Sequence, residues 1–199
     1  MIVELVAAAA VGWAIGKLSQ SAANTQVAPG HILNGPAVAS RYTAYEFAKL
    51  PPAERRHYMI ARLGSVPSIT PTMGTYTPGE AEALLQGGLV GLNLYQLRKG
   101  IPGISRALHG RQVRYEGADP NERWKSLREI WEEPGKDGMP FEDCEGLAAA
   151  VAAERIFKGR PSQIVLHRVH DKLSHVVVQD LATGTLHDPS RTGGMGGKG

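Results

Sequence analysis

The spacing of apolar residues changes period in the last third of the chain, and this marks its clearest elements. From Cys144 to Phe157, Leu147, Ala148, Val151, Ala152 and Ile156 recur at three and four, which predicts a helix with one buried stripe. Asp143 is the expected N-cap, and Gly159 with Pro161 the stop. Beyond Pro161 the period falls to two. Strands are predicted over residues 163–169, 174–180 and 185–188, joined by turns at HDKL and LATG.

The first two thirds are less regular. Residues 43–62 read as a helix interrupted at Pro51 and Pro52, with Pro52 starting its second part through residue 63. Residues 65–79 carry three prolines and two glycines and read as a loop. Thr77 is a cap and Pro78 the first turn of a helix over residues 80–85. The glycine-rich apolar run at residues 87–97 fits a helix or a buried strand equally. Trp124, Leu127, Arg128 and Trp131 recur at three and four, predicting a helix over residues 121–133 that Pro134 and Gly135 end.

Residues 2–18 are apolar except for Glu4 and Lys17. A helix of that length rises about 25 Å, short of the roughly 30 Å hydrocarbon core. No basic stretch precedes it, so it fits a secretory leader poorly. Ala8, Gly12 and Gly16 share one face and would admit a close helix partner. Three readings stay open: a short membrane anchor, a helix docked on a partner or on another copy, and a helix in its own core. Residues 19–40 read as a linker or arm, and the half-glycine tail as mobile unless something holds it.

Composition narrows the class. With 199 residues, 42% of them hydrophobic and 21% charged, the chain is neither disordered throughout nor a multi-span membrane protein. Aromatics at 6% argue against a base-stacking RNA module. One cysteine, Cys144, excludes an intrachain disulfide and any multi-cysteine zinc or iron–sulfur site. The net charge of +3 hides an asymmetry. Residues 83–115 hold five cations (Arg98, Lys99, Arg106, Arg111, Arg114) and no acid, whereas residues 116–145 hold ten acids against four bases. The basic tract at 98–114 is either a weak phosphate or acidic-lipid contact or a solvated face.

Cys144 at a helix start sits where backbone N–H groups favour a thiolate. A cysteine nucleophile needs a base, and the base an orienting acceptor. His175 on the second strand and Asp188 at the end of the third supply both in order. If LATG forms the last loop, Asp180 faces Thr185, Val177 faces Asp188, and His175 is a diagonal neighbour of Asp188 on one face, about 7 Å away at the backbone. In the preceding hairpin the expected register sets His175 opposite Arg168 and turns His167 to the other side. That parity disfavours a zinc site from Cys144, His167 and His175; His170 falls in the turn, and His187 on the face opposite Asp188. Against a reactive thiol stand Glu142, Asp143 and Glu145, whose charges would raise its pKa, and the alternative of a small buried hydrophobe.

FEDCEGLAAAVAAE resembles the GDCEDLA-type segment of transglutaminase-like cysteine peptidases, a branch of the papain-like superfamily. SHVVVQDLATGTLHDPSRTGGM resembles the matching ending, with an HVVV strand and a DPSR-type turn, and is similar to uncharacterised members encoded by bacteriophages. WKSLREIW before the cysteine fits the same pattern, so the resemblance covers about residues 121–195. It implies nucleophile Cys144, base His175 and orienter Asp188; no cofactor and no metal are expected. The chain departs from the pattern at Glu142, where glycine is usual, and at Gly146, where an acid is usual.

The expected fold is α+β: a cysteine-bearing helix packed on a small antiparallel sheet, as in the transglutaminase and papain-like core, after a helical, loop-rich half. The expected segments are an apolar helix (1–18), an arm (19–40), a helical region of unknown role (41–120), the transglutaminase-like core (121–192) and a glycine-rich tail (193–199). The expected function is a phage-encoded thiol hydrolase cleaving a peptide or peptidoglycan amide. It would be virion- or membrane-associated through residues 2–18, or otherwise in the cytoplasm of a bacterial host. The alternative is a virion- or membrane-associated structural protein that keeps the fold with little or no activity.

Overall fold

A computed structural model describes residues 40–63, 77–117, 123–170 and 173–196. The apolar segment 2–18, most of the arm and most of the loop at 65–79 lie outside the described residues. Among those described, no helix is long and apolar enough to cross a membrane.

The chain is a mixture of helices and small sheets, an α+β protein. Among the described residues five α-helices come first: α1 (Ala44–Lys49), α2 (Pro52–Leu63), α3 (Pro78–Leu84), α4 (Val90–Arg98) and α5 (Ser105–His109). Then follow β1 (Arg114–Tyr115), α6 (Leu127–Glu132), β2 (Phe141–Glu142), α7 (Cys144–Phe157), β3 (Ser162–His170), β4 (Leu173–Asp180), β5 (Leu186–His187) and α8 (Pro189–Thr192). β3, β4 and β5 form an antiparallel sheet in that order, and β1 pairs with β2 in parallel.

Capping sets the helix boundaries. Thr43, Thr77 and Ser126 each accept a backbone N–H three residues on, and the Glu at that position reaches back to the cap's own N–H. The box at Ser126 corrects the helix expected over 121–133. Ser126 is extended, so α6 begins only at Leu127, and Trp124 is buried from non-helical backbone. The N-terminal N–H groups of α6 find further acceptors in buried side chains of α4: Asn93 Oδ1 takes Leu127 N–H at 2.7 Å and Gln96 Oε1 takes Arg128 N–H at 2.8 Å.

The run at residues 87–97 is helical. A five-residue π turn, Leu85–Leu89, joins α3 to α4. From that turn Gln86 Oε1 accepts the backbone N–H of Ile164 on β3 at 2.8 Å.

Helix α7 is buried on more than its expected stripe. Leu147, Ala148 and Ala152 are buried as expected, but so are Ala149, Ala150 and Ala153, while Val151 and Ile156 are only half-buried. The cause is that α4 packs on one side and the sheet on another, and alanine lets both approach. One apolar core runs from Phe47, Met59, Leu85, Leu97 and Ile104 through Trp131 and Leu147 to Ile164, Val176 and Val178. Phe47 meets the Trp131 ring edge-on, and Trp131 donates its indole N–H to Pro102 O at 2.9 Å.

The two hairpins differ in how far parity predicted them. Between β4 and β5, Val178 faces His187 and Gln179 faces Leu186, and Asp180 N–H bonds Thr185 O at 2.9 Å, which is the expected register. Between β3 and β4 the register is one residue off. An irregularity between Arg168 and His170 inserts an extra residue, so His167, not Arg168, faces His175. The parity argument against a zinc site through His167 therefore fails. Among the described residues, no group of three or more His, Cys, Asp and Glu is placed to hold a metal ion.

The tail is held at its start. Asp188 caps α8 through Arg191 N–H, turns continue to Gly196, and Gly193 O accepts Tyr115 N–H at 2.8 Å. A Cβ at Gly193 would stand 2.8 Å from Tyr115 N, so only glycine allows this approach. The acidic and basic tracts also meet: Arg114 pairs with both Asp137 and Glu116.

Candidate active site

Asp143 accepts the N–H groups of Glu145 and Gly146, both at 3.2 Å, and so starts α7. Cys144 follows as the first helical residue, 8% exposed. Its thiol donates to Glu145 Oε2 at 2.9 Å, and the backbone of Val176 on β4 is near enough to act on the thiol electrostatically. Val176 is the neighbour of His175 on that strand.

Burial pushes the Cys144 thiol well above its ordinary pKa; the Glu145 charge and hydrogen bond add to this, and Asp143 adds further, against only the Val176 N–H. The helix N-terminus does not overcome these, and the thiol is neutral at pH 7 in this arrangement. Burial, then the Asp143 charge, also raises Glu145, to about 7, with the thiol bond opposing.

His175 Nε2 and Asp188 Oδ2 are 2.9 Å apart, as the diagonal register implied. Asp188 Oδ1 accepts Arg191 N–H at 3.1 Å. The aspartate therefore both holds the imidazole and shapes the turn. Nε2 being engaged, Nδ1 is the ring nitrogen left for a proton transfer. Among the described residues, no hydrogen bond joins Cys144 to His175.

The two departures from the GDCEDLA pattern are spatially one event. A Cβ at Gly146 would fall 2.4 Å from Glu142 Cγ and 2.6 Å from its Oε1. The Glu142 side chain fills the place that a side chain at 146 would take. It is 2% exposed, lies 3.3 Å from Lys125 Nζ, and accepts Lys125 N–H at 3.4 Å. Burial and the Asp143 charge raise it to about 9, with Lys125 opposing.

A pH dependence follows. The folded state keeps a proton on Glu142 that the unfolded chain releases near its ordinary pKa of 4.5, so stability falls as pH rises through the interval up to about 9. Above pH 7 the contribution of Glu145 is spent. Glu142→Gln should flatten the decline between pH 7 and 9, measured by urea unfolding at both. An unchanged slope would place the titration elsewhere.

Sequence reasoning missed Tyr115. Burial raises its phenol, and its backbone is held between β2, which leads into Cys144, and Gly193 O, just beyond the helix that Asp188 caps. The two-residue parallel ladder that puts it there has no periodicity to reveal it. A cavity of about 400 Å³, with Leu108, Glu154, Arg155 and Leu186 in its wall, reaches Asp188 but neither Cys144 nor His175.

No family model matches this chain, and neither a curated protein nor a solved structure is significantly similar to it.

Proposed function

We propose that the chain is a transglutaminase-like thiol hydrolase that cleaves a peptide or peptidoglycan amide through Cys144, His175 and Asp188. The observation that carries this reading is the His175–Asp188 bond at 2.9 Å, on the strand against which the Cys144 helix packs. Asp188 fixes the ring with its proton on Nε2, so Nδ1 is free to take the thiol proton. The thiolate attacks the carbonyl, the amine leaves with the proton from His175, and water then hydrolyses the thioester. The reaction requires Glu145 to release the thiol to His175. Hydrolysis is favoured over crosslinking because water outcompetes an amine unless it is excluded.

The second reading is a structural protein that keeps the fold without the activity, associated with a virion or a membrane through residues 2–18. The thiol–Glu145 bond and the raised thiol favour it.

Alkylation by iodoacetamide at neutral pH separates the two. In the enzyme, His175→Ala should slow alkylation of Cys144 at least about tenfold, because the base that makes the thiolate is gone. A rate that is slow in the parent and indifferent to His175 would leave Cys144 a structural residue.

A further inference from the structure

The cavity of about 400 Å³ beside Asp188 has no part in the chemistry above. One wall is α7, through Val151, Arg155 and Lys158. These stand seven, eleven and fourteen residues after Cys144, which puts them on the thiol's own face of the helix. The other walls come from α5, from β5 and from the start of α8. Asp188 belongs to both places, for it holds His175 at 2.9 Å and lines the cavity.

The acids of the wall are already engaged. Asp188 accepts from His175 and from Arg191 N–H. Glu154 is buried, accepts Ser105 N–H at 2.8 Å and pairs with Lys158. Arg155 is engaged too, by Asp180, which lies outside the wall. Arg160 is different: it is exposed, it lines the cavity, and among the described residues no acid pairs with it. Its backbone is fixed. Gly159, at φ 76°, ends α7 by donating its N–H to Ile156 O, and Arg160 donates its own to Arg155 O, both at 2.9 Å. The imidazoles of His109 and His187 share the wall with it, and Leu108 and Val151 give it an apolar part. A guanidinium without an acid of its own, beside apolar surface, is complementary to a carboxylate on a short aliphatic stem.

We propose that this cavity is the subsite for a carboxylate of the substrate, from an acidic side chain or a chain end, held by the Arg160 guanidinium. That the ligand is the substrate rests on the thiol-hydrolase reading above. Val151 lies about 10 Å along the helix from Cys144. An extended peptide covers that span in about three residues. The substrate is therefore an acidic peptide whose carboxylate stands about three residues from the bond under attack.

Binding is tested by NMR titration of the full chain, read on the ring protons of His109 and His187. The first probe is the amide acetyl-Ala-Ser-Ala-Glu-Ala-Ser-Ala, long enough to reach the thiol in either direction. It should bind at least about tenfold tighter than its glutamine counterpart. The second probe, acetyl-Ala-Ser-Ala-Ala with a free terminal carboxylate, is set against its own amide. The pair with the larger preference identifies the source of the carboxylate. Arg160→Gln, a change at an exposed side chain, should erase the preference. No preference in either pair, or one that survives Arg160→Gln, would overturn the site. The preferred peptide should also slow acylation of Cys144 by p-nitrophenyl acetate in proportion to its occupancy, because its chain then covers the thiol. Binding that leaves acylation untouched would overturn the subsite role. A parent protein that is not acylated at all would overturn the hydrolase reading, whereas the titration needs no catalysis and decides carboxylate recognition by itself.

Discussion

Replacing Asp188 with asparagine is expected to slow ester turnover by roughly two to four orders of magnitude while leaving the melting temperature almost unchanged. The two carboxylate oxygens do different work. Oδ1 accepts Arg191 N–H and caps α8, and an amide oxygen can do the same. Oδ2 faces His175 Nε2, and there asparagine presents an N–H donor. The ring must then accept at Nε2 and carry its proton on Nδ1, which is the wrong tautomer for taking a proton from a thiol. Turnover of p-nitrophenyl acetate gives the rate, and nitrogen NMR of the ring gives the tautomer. A variant as fast as the parent would reduce Asp188 to a turn residue. A large loss of stability with the tautomer preserved would do so as well.

The second large effect is on stability. Gly146→Asp should cost about 3 kcal/mol, because the new Cβ lands on the buried Glu142 side chain, which has little room to yield. Made together with Glu142→Gly, the same change should cost far less. The pair would then restore the glycine–acid arrangement of the GDCEDLA pattern, with the carboxylate carried by the helix instead of the strand. A double-mutant cycle by urea unfolding should show a favourable coupling of about 2 kcal/mol. Additive effects would mean that the two positions do not share that space.

The sequence carried the site further than it carried the rest of the molecule. Asp143 as N-cap, the whole of α7 and the β4–β5 register were readable because each rests on a local rule: a capping oxygen, a 3.6-residue period and a four-residue loop. The His175–Asp188 contact followed from these rules. The β3–β4 register did not, because one extra residue between Arg168 and His170 reverses parity and leaves no mark in the hydrophobic pattern. The start of α6 was misplaced because Trp124 keeps helical spacing while sitting before the cap. Tyr115 was invisible because β1 and β2 are two residues each and their partners lie far apart in the chain. The thiol–Glu145 bond is a matter of rotamer, which composition does not encode.

Gln86 has a consequence for the molecule in company. β3 is one of the two edge strands of its sheet, and the outward backbone donors of such a strand are a template on which another chain can add a strand of its own. The Ile164 N–H is already committed to the Gln86 amide, presented by a π turn of the same chain. The helix thereby stands where an intruding strand would have to lie. A single glutamine thus takes one anchor point of that border out of play and makes addition of a strand there harder in crowded solution.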